Sequence, residues 1–172
     1  PASGRGVRMN GELLIKEILP VKLPGMDSPF LLFENSLFTM KKAGVNSIVC
    51  TVNDNKPELI KYLNIYSQKH QMVLAYVYQN MNNDEYGVPY AIYQASSFLY
   101  GHTVVMRFPD TIVLPEKVIM DLLEFHRMKQ SVLTLGVFST KHPERLGPVQ
   151  LSDDGKILRI QDKPKKPCAY NT

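Results

Sequence analysis

Short apolar runs alternate with amphipathic stretches along most of this chain, and that alternation narrows its fold more than any other feature. SIVCTV (Ser47–Val52), MVLAYVY (72–78), HTVVMRF (102–108) and SVLTLGVF (131–138) are short and rich in β-branched residues, as buried strands are. Helical patterns separate them. Residues 29–43 place Phe30, Phe33, Leu37 and Met40 at three- and four-residue spacing, and Gly44 offers a C-terminal stop. Residues 57–69, 88–100 and 115–128 each carry a proline at or near the first turn. The last of these has an apolar face of Val118, Ile119, Leu122 and Leu123. Further on, GPVQLSDDGKILRI sets Asp154-Gly155 between two alternating runs, a strong hairpin signal. The pattern predicts an α/β fold: a three-layer α/β/α domain with a mostly parallel sheet and a C-terminal β-hairpin. Ligands of such sheets bind beyond the carboxyl ends of the strands. Attention therefore falls on Asn53-Asp54, Gln79, Pro109-Asp110-Thr111 and Asp162-Lys163-Pro164.

Composition excludes more than it assigns. At 172 residues the chain is long enough for one domain with a sizeable core. No run approaches the ~18 apolar residues of a membrane span, so no membrane association is expected. Cys50 and Cys168 lie far apart without a CxxC pattern, which suggests reduced thiols and a cytoplasmic protein. Twenty basic against sixteen acidic residues give a net charge of +4. That excess suits an anionic small molecule, but without an aromatic-basic stripe it does not argue for nucleic acid.

The anionic ligand has a candidate cradle in GRGVRM, residues 4–9. Glycine-rich turns expose backbone N–H groups to phosphate oxygens, and arginine adds a bidentate cationic fork. The motif lacks the third glycine of a dinucleotide fingerprint and the GK[ST] of a Walker loop. On spacing alone, a surface turn with solvated cations explains it equally well. Other candidates also have plain alternatives. Asp110 could cap an Asx turn, Lys163 could be a surface lysine, and Arg5 reads as solvated. The four histidines show no ligand spacing, and His126 reads as packed or capping. Tyr86, Tyr90 and Tyr93 suit a core, although one of them could stack on a base.

Taken in order, the motifs resemble a known family. Gly4-Arg5-Gly6-Val7-Arg8-Met9 followed by Lys16-Glu17-Ile18-Leu19-Pro20-Val21 is similar to the signature of the sugar-nucleotide pyrophosphorylases, or nucleoside-diphosphate-sugar nucleotidylyltransferases. AGVNSIVCTV resembles the segment after that family's first long helix. Gln79 and Gly87 resemble the residues around its nucleobase, FPDTI its metal-binding aspartate, and the hairpin running into Asp162-Lys163-Pro164 its E-K-P. The resemblance covers most of the chain and implies a Rossmann-like nucleotidyltransferase domain. Such a domain passes a nucleotidyl group from a nucleoside triphosphate to a sugar 1-phosphate and releases pyrophosphate. Arg8, Lys16 and Asp110 would be catalytic. Ala2, Gly4, Gly6, Gln79 and Gly87 would bind the nucleotide, and Lys163 the sugar phosphate. Asp110 would hold Mg2+, a hard cation that prefers oxygen ligands.

The resemblance has departures. Val7 stands where the family has Thr or Ser, Pro109 where it commonly has Gly, and Ser28 where Lys precedes Pro. Arg8 and Lys16 are only eight residues apart, and the segment from Gln79 to Gly87 is longer and acidic. Within the family pattern, residues 1–172 read as a single domain that lacks the first strand and, beyond its end, the second metal-binding aspartate. Two other readings therefore stay open: a non-catalytic regulatory or assembly relative, and a glycosyltransferase that uses a finished nucleotide-sugar. The second expects a D-x-D, whereas Asp110 is followed by Thr111-Ile112. The nucleotide, the sugar and any homo-oligomeric state are not fixed by the sequence.

Overall fold

A computed structural model of the chain describes residues 15–79 and 87–169. These form two compact units, divided between Glu124 and Phe125.

In the first unit a 3₁₀ turn, Lys16–Ile18, leads into β1 (Pro20–Val21), which pairs antiparallel with β2 (Phe30–Leu31). Helix α1 (Leu32–Lys42) follows directly. The Glu34 carboxylate accepts the Leu31 N–H at 2.9 Å and so satisfies one of the donors a helix start leaves open. Gly44, at φ 80°, closes the other end, and its N–H donates to Lys41 O at 2.9 Å. That is the stop expected from the sequence. Proline at 29 and the β1–β2 pair keep residues 29–31 out of the helix.

The centre of this unit is a parallel pair, β3 (Ser47–Val52) and β4 (Val73–Tyr78), joined by α2 (Pro57–His70). Register runs from Ser47 opposite Val73 to Val52 opposite Tyr78. Because side chains alternate along a strand, Ile48, Cys50, Leu74 and Tyr76 share one face. They pack on Phe33 and Leu37 of α1 and on Leu59, Leu63 and Tyr66 of α2. Each such fully buried side chain contributes about 1.5–3 kcal/mol of hydrophobic stabilisation. The Phe33 and Tyr66 rings meet edge to face, 5.7 Å between centroids. On the opposite face Thr51 donates to Ala91 O of α3 (Val88–Gln94) at 3.4 Å. Helices therefore cover both faces of the parallel pair, as the alternation predicts. The expected helix at 88–100 is broken at Ala95 into α3 and α4 (Ser96–Leu99), and that at 115–128 is α5 (Val118–Lys129).

Two expected strands do not form. Among the described residues neither 102–108 nor 131–138 carries a strand ladder, and the pairing consists of three separate two-stranded sheets. The reason at 102–108 is an inverted pattern: Val104, Met106 and Phe108 are exposed while Arg107 is buried. The charged residue, rather than the apolar ones, anchors this run. At 131–138 Val132, Leu133 and Phe138 are exposed and no described segment pairs with them. Apolar, β-branched composition supplies the propensity for a strand, but a ladder also needs a partner.

The second unit holds the predicted hairpin, β5 (Val149–Leu151) against β6 (Ile157–Ile160), with a bulge between Gln150 and Leu151. Gly155 takes φ 81°, and its N–H donates to Ser152 O at 2.9 Å. His126 Nδ1 lies 2.9 Å from Thr134 Oγ1.

Candidate active site

The residues following β3 and β4 assemble a polar cluster. Gln79 directly follows β4, is buried, and donates its N–H to Val52 O at 2.8 Å. Asn53 ends β3. Its side-chain oxygen accepts the Asn55 N–H at 3.1 Å, and its carbonyl accepts the Lys56 N–H at 3.2 Å. This Asx turn delivers Lys56 to the N-terminus of α2, buried. A cation there opposes the helix dipole and has lost its water. Glu17 supplies the compensation: its Oε1 pairs with Lys56 Nζ, and both side chains are almost wholly buried. Glu17 Oε2 has no hydrogen-bond partner among the described residues.

The Glu17–Lys56 pair fixes the 3₁₀ turn beyond the carboxyl end of β3, and so fixes Lys16. Lys16 Nζ pairs directly with Asp110 Oδ2 from 94 residues away. Both side chains stay partly open to solvent, 39% for Lys16 and 25% for Asp110. Two predicted catalytic residues are thus in contact, Lys16 on the 3₁₀ turn held through Glu17 and Lys56, and Asp110 on a turn held by α1.

Asp110 is held by helix α1. Arg107 donates to Thr39 Oγ1, to Asn35 Oδ1 at 3.5 Å and to Thr111 O at 2.9 Å. Asn35 Oδ1 also accepts the Val113 N–H at 3.2 Å, and Ser36 Oγ donates to Phe108 O at 3.1 Å. The Thr111 N–H returns to Phe108 O at 3.3 Å, which closes a turn around Asp110. Burial pulls the Arg107 guanidinium below its usual range.

Gly87 stands at the N-cap of α3 with φ 116°, a conformation that favours glycine. Tyr93 on the same helix is largely exposed, and its ring lies 6.4 Å from that of Tyr90. Lys163 belongs to the second unit, where its N–H donates to Leu146 O at 2.9 Å and its φ is 40°. Ala2, Gly4, Gly6 and Arg8 lie outside the described residues, as do Arg5, Val7 and Tyr86. No helix among the described residues is long and apolar enough to cross a membrane.

Three residues of this cluster carry no role in the sequence reading. Glu17 figures there only as part of a signature. Lys56 is not singled out there, and Arg107 appears only within the apolar run 102–108. The available signals were a lysine directly between a strand-end Asn-Asp-Asn and a helix-starting proline, and a single charge inside the apolar run HTVVMRF.

A parallel β–α–β core, covered on both faces, with a cation and a carboxylate meeting beyond its carboxyl end, defines an α/β protein whose polar cluster lies where ligands of such sheets bind. The family profile for nucleotidyl transferases matches residues 3–172, and the chain belongs to that family. The resemblance to the sugar-nucleotide pyrophosphorylases is borne out at that level. Among solved structures, a Bacillus anthracis protein assigned as a glucose-1-phosphate thymidylyltransferase, crystallised with sucrose, superposes with a TM-score of 0.80 at 19% identity. The match covers 99% of this chain and 65% of that one, so the chain spans about two thirds of its neighbour's length. The likeness establishes the shared fold. No curated protein matches the chain.

Proposed function

We propose that the protein transfers a nucleotidyl group from a nucleoside triphosphate to a sugar 1-phosphate and releases pyrophosphate. The observation that carries this reading is the direct meeting of Lys16 and Asp110 beyond the carboxyl end of β3. In the reaction an oxygen of the sugar phosphate forms a bond to the α-phosphorus while the bond to pyrophosphate breaks. Two polyanions must approach each other, so catalysis of this type rests on positioning and on charge stabilisation.

Lys16 would neutralise phosphate charge, its ammonium turning from Asp110 toward the incoming anion. Arg8, with the Gly4 and Gly6 backbone and Ala2, would cradle the triphosphate. Gln79 and Gly87 would border the base, and Lys163 would bind the sugar phosphate. Asp110 fits Mg2+. The ion characteristically takes one or two carboxylates plus substrate phosphates, and Asp110 offers a hard, part-exposed carboxylate. No group of three or more His, Cys, Asp or Glu that could hold a metal occurs among the described residues. When bound, the ion would offset charge on the phosphates.

The test is pyrophosphate release by the full-length protein with Mg2+, across a panel of nucleoside triphosphates and sugar 1-phosphates. Turnover with at least one pair is expected. Nucleotide or protein binding without any turnover would favour the non-catalytic relative, the reading that Val7 supports.

A further inference from the structure

We infer that Arg107 is a positioning residue for Asp110, and that the polar face of α1 is the scaffold through which it acts. The inference rests on reading Asp110 as the divalent-cation carboxylate.

Arg107 is only 9% exposed, yet no carboxylate pairs with it among the described residues. Its partners are a hydroxyl, a side-chain amide and a peptide carbonyl. Burying a guanidinium against neutral acceptors alone is costly, and an apolar residue would suit a simple structural role better. The bonds Arg107 makes explain its presence. Thr111 O lies one residue beyond Asp110. Asn35 Oδ1, which Arg107 orients, also accepts the Val113 N–H. Ser36, the next residue on α1, binds Phe108 O on the other side of Asp110. Thr39 stands four positions from Asn35 and three from Ser36, so the three lie along one side of α1. The chain is therefore bonded to one rigid helix both before and after the carboxylate. Arg107 bonds two α1 side chains and a carbonyl of the turn at once, because its planar fork offers several donors in fixed directions.

A carboxylate held this way meets a metal without reordering its loop. Removing such an outer support typically costs about 10–100-fold in metal affinity. The experiment titrates Mn2+ alone into the full-length protein, followed by electron paramagnetic resonance, for wild type, Arg107→Met, Arg107→Lys, Asp110→Asn and Leu63→Ala. Leu63→Ala is a core truncation away from the turn and serves as the stability control. Asp110→Asn is expected to abolish the tightest binding. Arg107→Met is expected to raise the Mn2+ dissociation constant at least about tenfold, while Leu63→Ala leaves it unchanged. Arg107→Lys keeps the charge and a packed stem, and is expected to recover only part of the loss. It also provides the measurement if Arg107→Met does not fold. In turnover, kcat is expected to fall with KM for both substrates nearly constant. Wild-type Mn2+ affinity in a folded Arg107 variant would overturn the inference and leave the Asp110 reading standing. Wild-type affinity in Asp110→Asn would remove the reading itself.

Discussion

Glu17 and Lys56 show how a residue pair can be costly and still necessary. Both side chains are almost fully buried, and one Glu17 oxygen has no partner among the described residues. Such a pair contributes little over an apolar pair of similar shape, but breaking it strands a buried charge. Lys56→Met is therefore expected to lower unfolding free energy by about 3–5 kcal/mol, read by chemical denaturation. Lys56→Met with Glu17→Leu should recover much of that loss.

Cys50 gives a pH prediction. Burial pushes its thiol from 9.0 up to about 11, and burial likewise takes Tyr66 and Tyr76 from 10.0 to about 12. In each case the folded state holds the proton more tightly than the unfolded chain. The stabilisation is therefore complete below pH 9 and is lost as pH rises through 11 for Cys50 and 12 for the tyrosines. Melting temperature should fall between pH 9 and 11, and less steeply in Cys50→Val. At this scale the sequence revealed Lys16 and Asp110 through their place in a signature. It concealed Lys56 and Arg107, because propensity treats a lone Lys or Arg as solvated until its burial is known.

Among the elements, those legible in sequence were the ones whose signals are local. Gly44 ended α1, Pro57 opened α2, and Asp154-Gly155 turned the hairpin, each by its own backbone chemistry. The β3–β4 pair was legible because α1 and α2 both cover one of its faces. Residues 102–108 were not, since their order depends on hydrogen bonds from Asn35, Ser36 and Thr39, far away in sequence. Gly87 supplies the prediction at this scale. Among the described residues a Cβ there would meet nothing closer than Pro89 Cδ at 3.8 Å. The obstacle is its φ of 116°. Gly87→Ala is expected to cost about 1–3 kcal/mol, or to reset the start of α3 and weaken nucleotide binding, read by calorimetry with each nucleoside triphosphate.

Across the whole molecule, family membership and fold agree, and the proposed chemistry rests on the few residues where the two meet. Lys16 and Asp110 lie 94 residues apart and meet because the Glu17–Lys56 pair holds one turn and α1 holds the other. A surface ion pair between them would contribute about 1 kcal/mol or less to stability, so their value, if the proposal holds, is catalytic. The most direct measurement is pyrophosphate release under Mg2+ by wild type, Lys16→Ala and Asp110→Asn, with folding checked by thermal denaturation. The expected result is turnover in wild type and a loss of about 10²–10³-fold in kcat for each variant, with melting temperatures nearly unchanged. Folded variants that release pyrophosphate at the wild-type rate, with every substrate pair the wild type accepts, would contradict it.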